Sequence, residues 1–171
     1  MSSLRSPRPP DGLAELGDAA VRVAEDSLFA YAEPCDAANA TGLIRARTAV
    51  EPWLAASVAF TGPFDGEVRV SLPRPLCADL AGAFCGVPPD SLDPAQVADF
   101  AGELANMVCG SWLTQTHRTE RFALASPVVA DAAAADVVAA AADPGALGLV
   151  LHATPLLLAL CAGTPATPSL T

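Results

Sequence analysis

The stretch SVAFTGPFDGEVRVSLP, residues 57–73, decides the fold. On its N-terminal side Leu54 to Phe60 reads as strand-like, and beyond the turn Val68, Val70 and Leu72 share one side of an extended chain. Between them TGPFDG carries Gly62-Pro63 and Asp65-Gly66, residues suited to reversing the chain. Two antiparallel strands joined by a tight loop follow, each with one face for a core.

Working outward, residues 11–32 repeat apolar side chains at three- and four-residue intervals, which predicts an amphipathic helix ending before Pro34. Ile44 to Val50 alternates and reads as another strand. Residues 75–86 read as a short helix, with Pro75 at its start and Gly86 past its end. FALASPVV (122–129) is a strand whose proline implies an edge or a bend. The alanine-rich segment 131–145 is ambiguous between helix and irregular structure. LGLVLHA and LLLALCA, broken at Thr154-Pro155, fit a buried hairpin. The fold class is therefore α+β: an antiparallel or mixed sheet with long helices packed on one face.

The longest helix should run from 94 to about 116, with Asp93 as N-cap and Pro94 at its first position. Within it DFAGELANMVCG (99–110) separates into two faces at about 100° per residue. Val97, Phe100, Ala101, Leu104, Met107 and Val108 form an apolar stripe, while Asp99, Gly102, Glu103, Asn106, Gly110 and His117 point the other way. A carboxylate and a neutral amide one turn apart can act on a shared ligand. Gly102 and Gly110 each cost a helix about 1 kcal/mol relative to alanine, and close approach of a partner is a reason to keep them. The face is either a site or merely solvated.

With 171 residues, 52% of them apolar, the chain suits one well-cored domain, placed at 11–163 between a disordered leader (1–10) and a flexible tail (164–171). The net charge of −10 arises from 19 acids against nine basic residues, all arginine and unclustered, which argues against nucleic acid as a partner. The leader lacks the apolar core of a secretion signal, and PLLLALCAG (155–163) falls short of the roughly 20 residues that a bilayer span needs. A cytoplasmic protein without membrane contact is expected.

Five cysteines without a CxxC pair or a histidine pattern predict neither a disulfide framework nor a metal site. Cys109 reads as a buried or half-buried thiol rather than a nucleophile. Trp53 and Trp112 read as core or interface packing rather than ligand platforms, His117 as solvated beyond the helix end, and His152 as a structural residue within an apolar strand.

Asp11, Glu15 and Asp18 on the first helix repeat the spacing of Asp99, Glu103 and Asn106. Each copy precedes a region of antiparallel pairing, so an internal pseudo-twofold repeat would account for both.

The spacing of Asp99, Glu103 and Asn106, with ELANMVCG around it, resembles the signature helix of the CheC/CheX family of chemotaxis phosphatases. SVAFTGPFDGEVRVSLP and SPVV (126–129) resemble strands of that family, and the likeness extends over residues 11–162, nearer to CheX than to CheC. The resemblance implies hydrolysis of the aspartyl phosphate of a phosphorylated CheY-like receiver. Asn106 would orient the attacking water, and Glu103 would pair with the receiver's phosphate-contacting lysine. Asp99, Gly102 and Gly110 would border the partner. Glu15 and Asp18 would be a degenerate second site, because a carboxylate at 18 repels the phosphoryl oxygens where the amide of Asn106 does not. The resemblance further implies no cofactor of the chain's own, Mg²⁺ held by the receiver, and a homodimer formed through strand pairing. A noncatalytic adaptor of the same fold, binding a receiver or another signalling or flagellar partner, is the alternative.

Overall fold

The structure is a computed structural model that describes residues 12–162. The expected leader and tail, together with Asp11, lie outside the described residues. The first half of the chain forms α1 (Leu13–Leu28), β1 (Ala32–Cys35), α2 (Ala37–Thr48), β2 (Trp53–Thr61) and β3 (Gly66–Pro73). After α3 (Arg74–Cys85), the second half forms α4 (Pro94–Thr116), β4 (Ala123–Leu124), β5 (Val128–Ala132), α5 (Ala134–Ala141), β6 (Ala146–Leu151) and β7 (Thr154–Ala162).

The 57–73 hairpin forms as its alternation dictates. Val58 pairs with Val68, Ala56 with Val70 and Leu54 with Leu72, so the apolar set of both strands faces one way. Every pairing in the sheet is antiparallel, in the order β1-β6-β7-β3-β2-β4, with β5 also on β2.

This order contains the repeat. Each half is a long helix, a strand, a short helix and a hairpin, with the two-residue β4 extra in the second half, and the halves meet where β3 pairs with β7. The single strands are exchanged: β1 pairs with β6 of the second hairpin, and β5 with β2 of the first. A pseudo-twofold relation between the halves accounts for both pairings at once.

Strand alternation gives the sheet two buried faces. Leu54, Ala56, Val58, Phe60, Val68, Val70, Leu156, Leu158 and Leu160 meet the apolar stripes of α1 and α4 in the main core. Trp53 and Leu157 point the opposite way, into a smaller core with Ala40 and Ile44 of α2 and Val137 and Ala141 of α5. The long helices thus share one face, as expected, and two short helices cover the other.

Those short helices correct the reading of two segments. Ile44 to Val50 is the end of α2 and the turn after it, not a strand. Asp36 caps α2 by accepting a bond from the Asn39 N–H at 2.9 Å, and that bond holds its carboxyl below the ordinary aspartate range. Ala40 and Ile44, four residues apart, then share the face buried against α5. The alternation within 44–50 was incidental, since Val50 is 77% exposed. The alanine-rich segment becomes helical because Val137 and Ala141 have α2 to pack against. Strand β1 went unforeseen because Pro34 marked a helix end, yet a proline is tolerated on an edge strand.

The closing hairpin forms as expected, but its turn is His152-Ala153, both left-handed at φ 49° and 61°. His152 is therefore an exposed turn residue rather than part of an apolar strand. Pro155 lies inside β7 opposite Val150.

Candidate functional site

Helix α4 starts where Asp93 and Pro94 place it. The Gln96 N–H donates to Asp93 Oδ1 at 2.8 Å and the Asp93 N–H to Gln96 Oε1 at 2.9 Å, closing a reciprocal cap. From there Val97, Phe100, Ala101, Leu104 and Val108 are buried in the main core, and Met107 is half-buried against it. Burial of this stripe fixes the rotation of the helix, and so the direction of the opposite face.

On that face Asp99 and Glu103 are exposed, while Asn106 and Gly110 are half-buried. The side chains of Asp99, Glu103 and Asn106 have no hydrogen-bond partner among the described residues. Residues three apart on a helix have Cβ atoms about 5–6 Å from each other, so the carboxylate and the amide can reach one ligand together. Neither is committed to a structural bond.

The two glycines differ. Beside Gly110 an added Cβ would meet nothing within 4 Å, so the helix is bare there. Gly102 is buried, and a Cβ on it would lie 3.1 Å from Pro127 and 3.2 Å from Val129. Its expected place at a partner surface is therefore corrected: Gly102 serves the packing of α4 on the β5 segment. Gly110→Ala should raise stability by about 1 kcal/mol, the helix-propensity difference. Gly102→Ala should show no such gain, and urea unfolding of the two variants checks the contrast.

His117 caps the C-terminal end of α4 and is not freely solvated. Its Nδ1 lies 2.7 Å from Glu120 Oε2, and its ring packs among Phe64, Phe122 and Trp112 at centroid distances of 5.0, 5.5 and 5.9 Å. Trp53 and Trp112 are core residues, as read.

Cys109 is buried, and burial pushes its thiol up to about 11. A thiol held above its usual range is protonated at neutral pH and unsuited to nucleophilic attack. Iodoacetamide at pH 7.5 should modify the exposed Cys85 and Cys161 and leave Cys109 intact, with activity retained; peptide mapping beside an activity assay checks this.

On α1, Glu15 and Asp18 are exposed and share a cleft with Arg22, Gln115, Thr116 and Arg118. A second groove between the helices joins Arg22, Val23, Asp26 and Ser27 to Met107, Ser111 and Gln115. Numbers that fall along α1 as they rise along α4 mean that the two helices run antiparallel. Arg22 follows Asp18 by four residues, as Gly110 follows Asn106. Where the α4 face is bare, the α1 face carries an arginine.

A concave surface of about 360 Å³ continues the α4 face beyond Gly110 and is bordered by Thr114, Arg118, Arg121, Phe122 and Leu124. Sequence reasoning missed it. Arg118 and Arg121 stand in plain view after the helix, but only the fold of the 117–124 segment brings them beside Gly110. Among the described residues, no group of three or more His, Cys, Asp or Glu side chains could hold a metal ion, and no helix is long and apolar enough to cross a membrane.

Fold and site together define a class: a duplicated α+β domain that offers an uncommitted carboxylate–amide pair from the bare face of one central helix. The family profile described as chemotaxis phosphatase CheX matches residues 54–146, and the chain belongs to that family. A search of curated proteins found no match. Among solved structures, the chemotaxis protein CheX from Vibrio vulnificus is similar at 14% identity and a TM-score of 0.65, covering 92% of this chain and 100% of that one. CheX from Desulfovibrio desulfuricans aligns at 15% identity and a TM-score of 0.62, over 90% of this chain and 100% of its own. A CheX-CheY-BeF3-Mg²⁺ complex from Borrelia burgdorferi aligns at 14% identity and a TM-score of 0.60, over 90% of this chain and 99% of that chain. At these identities the structural likeness speaks for the fold.

Proposed function

We propose that this chain hydrolyses the aspartyl phosphate of a CheY-like receiver domain, with Glu103 and Asn106 as the working pair. The observation that carries the reading is the pair itself: two uncommitted polar side chains one turn apart on a helix face. The site lies within the stretch matched by the family profile, and a related fold has been solved in complex with CheY, BeF3 and Mg²⁺.

In this reaction water attacks phosphorus, the bond to the receiver's aspartyl oxygen breaks, and inorganic phosphate leaves with the aspartate restored as a carboxylate. Phosphoryl transfer needs positioning and electrostatics more than covalent participation. The Asn106 carbonyl accepts a hydrogen bond from the attacking water and holds it in line, without adding charge beside the phosphoryl oxygens. Glu103 pairs with the receiver's phosphate-contacting lysine and sets the register of the helix on its partner. Mg²⁺ belongs to the receiver. Asp99 and Gly110 border the contact.

Glu15 and Asp18 are the degenerate copy. Beyond the charge of Asp18, Arg22 fills the position that Gly110 leaves bare. The sheet edges at β1 and at β4–β5 are the places where a second copy could add by strand pairing.

The test is phosphate release from phosphorylated receivers of the same genome, with wild type and Asn106→Ala in parallel. Acceleration by wild type and its loss in the variant support the phosphatase. Binding without acceleration identifies an adaptor.

A further inference from the structure

We infer that the groove beside Gly110 binds an acidic segment of the same receiver, flanking its phosphorylation site, through Arg118 and Arg121. This rests on the phosphatase reading and adds to it a second point of contact. The groove and the Asn106 face share Gly110, which lies four residues from Asn106 and so about 6 Å along the helix axis. A partner seated over Asn106 is continuous with whatever enters the groove.

Charge identifies the occupant. Among the described residues neither Arg118 nor Arg121 forms an ion pair, the Arg118 Nε–H donating only to the Gln115 carbonyl at 3.4 Å, whereas Arg47, Arg69 and Arg74 each have a carboxylate within 4 Å. The one acid bordering the groove, Glu120, is engaged by His117 at 2.7 Å. With two arginines against one carboxylate the groove has a local excess of positive charge on a chain of net charge −10, Arg121 facing it alone and Arg118 standing between it and the Glu15 cleft. Phe122 and Leu124 give it apolar wall, with Leu124 37% exposed.

A receiver site that holds Mg²⁺ beside an acyl phosphate is rimmed by carboxylates, because that ion is bound by oxygen donors. An acidic protein bringing Glu103 to such a rim meets repulsion unless positive charge is placed locally. Thr116, the last residue of α4, lies ten residues from Asn106, about 15 Å along the axis, and Arg118 follows beyond it, away from the reacting phosphoryl group. The effect of Arg118 falls on docking and on rate of encounter, not on the chemical step.

The experiment uses full-length chain and receiver domains loaded with BeF3⁻ and Mg²⁺, with turnover measured on the phosphorylated form. Arg118→Glu/Arg121→Glu should weaken binding and raise KM about tenfold at low salt, with kcat unchanged. The defect should shrink toward twofold near 1 M salt, where screening acts within about 3 Å. Arg121→Glu alone, at a residue that does not border the Glu15 cleft, should show the same salt-sensitive defect in smaller measure, and a thermal melt confirms that each variant is folded. If wild type binds a receiver and the double variant binds it equally at every salt concentration, the groove assignment is overturned and the phosphatase reading stands. If kcat falls with KM unchanged, the arginines act elsewhere than in docking and the assignment is likewise overturned. If wild type neither binds nor hydrolyses any loaded receiver, both readings fall.

Discussion

Asn106→Asp is expected to slow receiver dephosphorylation about a thousandfold while leaving the fold intact. The substitution preserves shape and replaces a neutral amide by a carboxylate facing a charged phosphoryl group. One such charge pair at about 4 Å costs roughly 4 kcal/mol at an effective dielectric of 20. By transition-state arithmetic that is about three powers of ten. Asn106→Ala removes the water-holding carbonyl without adding repulsion, and about a hundredfold loss is expected, the scale on which misplaced reactants cost rate. The Asn106 side chain bonds to nothing within the described residues, so both variants should unfold within about 0.5 kcal/mol of wild type. Stopped-flow phosphate release and urea unfolding together check the two halves. Wild-type rates in both variants, with activity destroyed instead by Asp18→Ala, would move the site to α1.

Phe60→Ala should cost about 3–5 kcal/mol of stability, the range for deleting a buried aromatic ring. Phe60 is 1% exposed, and its ring meets Phe64, Trp112 and Phe122 edge-on at 5.6, 5.7 and 5.9 Å. It also lies over Gly66, where an added Cβ would run into the ring. This cluster ties β2 and its turn to the C-terminal end of α4 and to the segment that walls the groove. For a chain of this size each kcal/mol moves the thermal midpoint by about 2–4 °C, so a fall of roughly 6–20 °C is expected. Because Phe122 loses one of its three ring contacts, receiver binding should weaken even at temperatures where the variant is folded. Calorimetry and a binding titration measure the two effects, and a loss under 1 kcal/mol would mean that the neighbouring rings close over the space.

Legibility followed the range of the interactions. Strands β2 and β3 were readable because Val58, Val68, Val70 and Leu72 alternate around a turn of glycine, proline and aspartate. Helix α4 was readable from its cap and from a stripe repeated over three turns. Helix α2 was misread because residues 44–50 read as a strand, and only α5 supplied the surface that makes Ala40 and Ile44 one buried face. His117 looked solvated because the rings around it come from residues 64, 112 and 122.

By itself the sequence determined the hairpin, the long helix, the division of that helix into two faces, and the spacing of Glu103 and Asn106. These rest on backbone preference and periodicity over a few neighbouring residues. Tertiary structure alone decided the exchange of β1 and β5 between the halves, the burial of Gly102 against Pro127 and Val129, the bareness of Gly110, and the meeting of Arg118 and Arg121 beside it. A local period carries no record of what packs against it from another part of the chain, and that packing separates the glycine that seats the helix from the one left open to a partner.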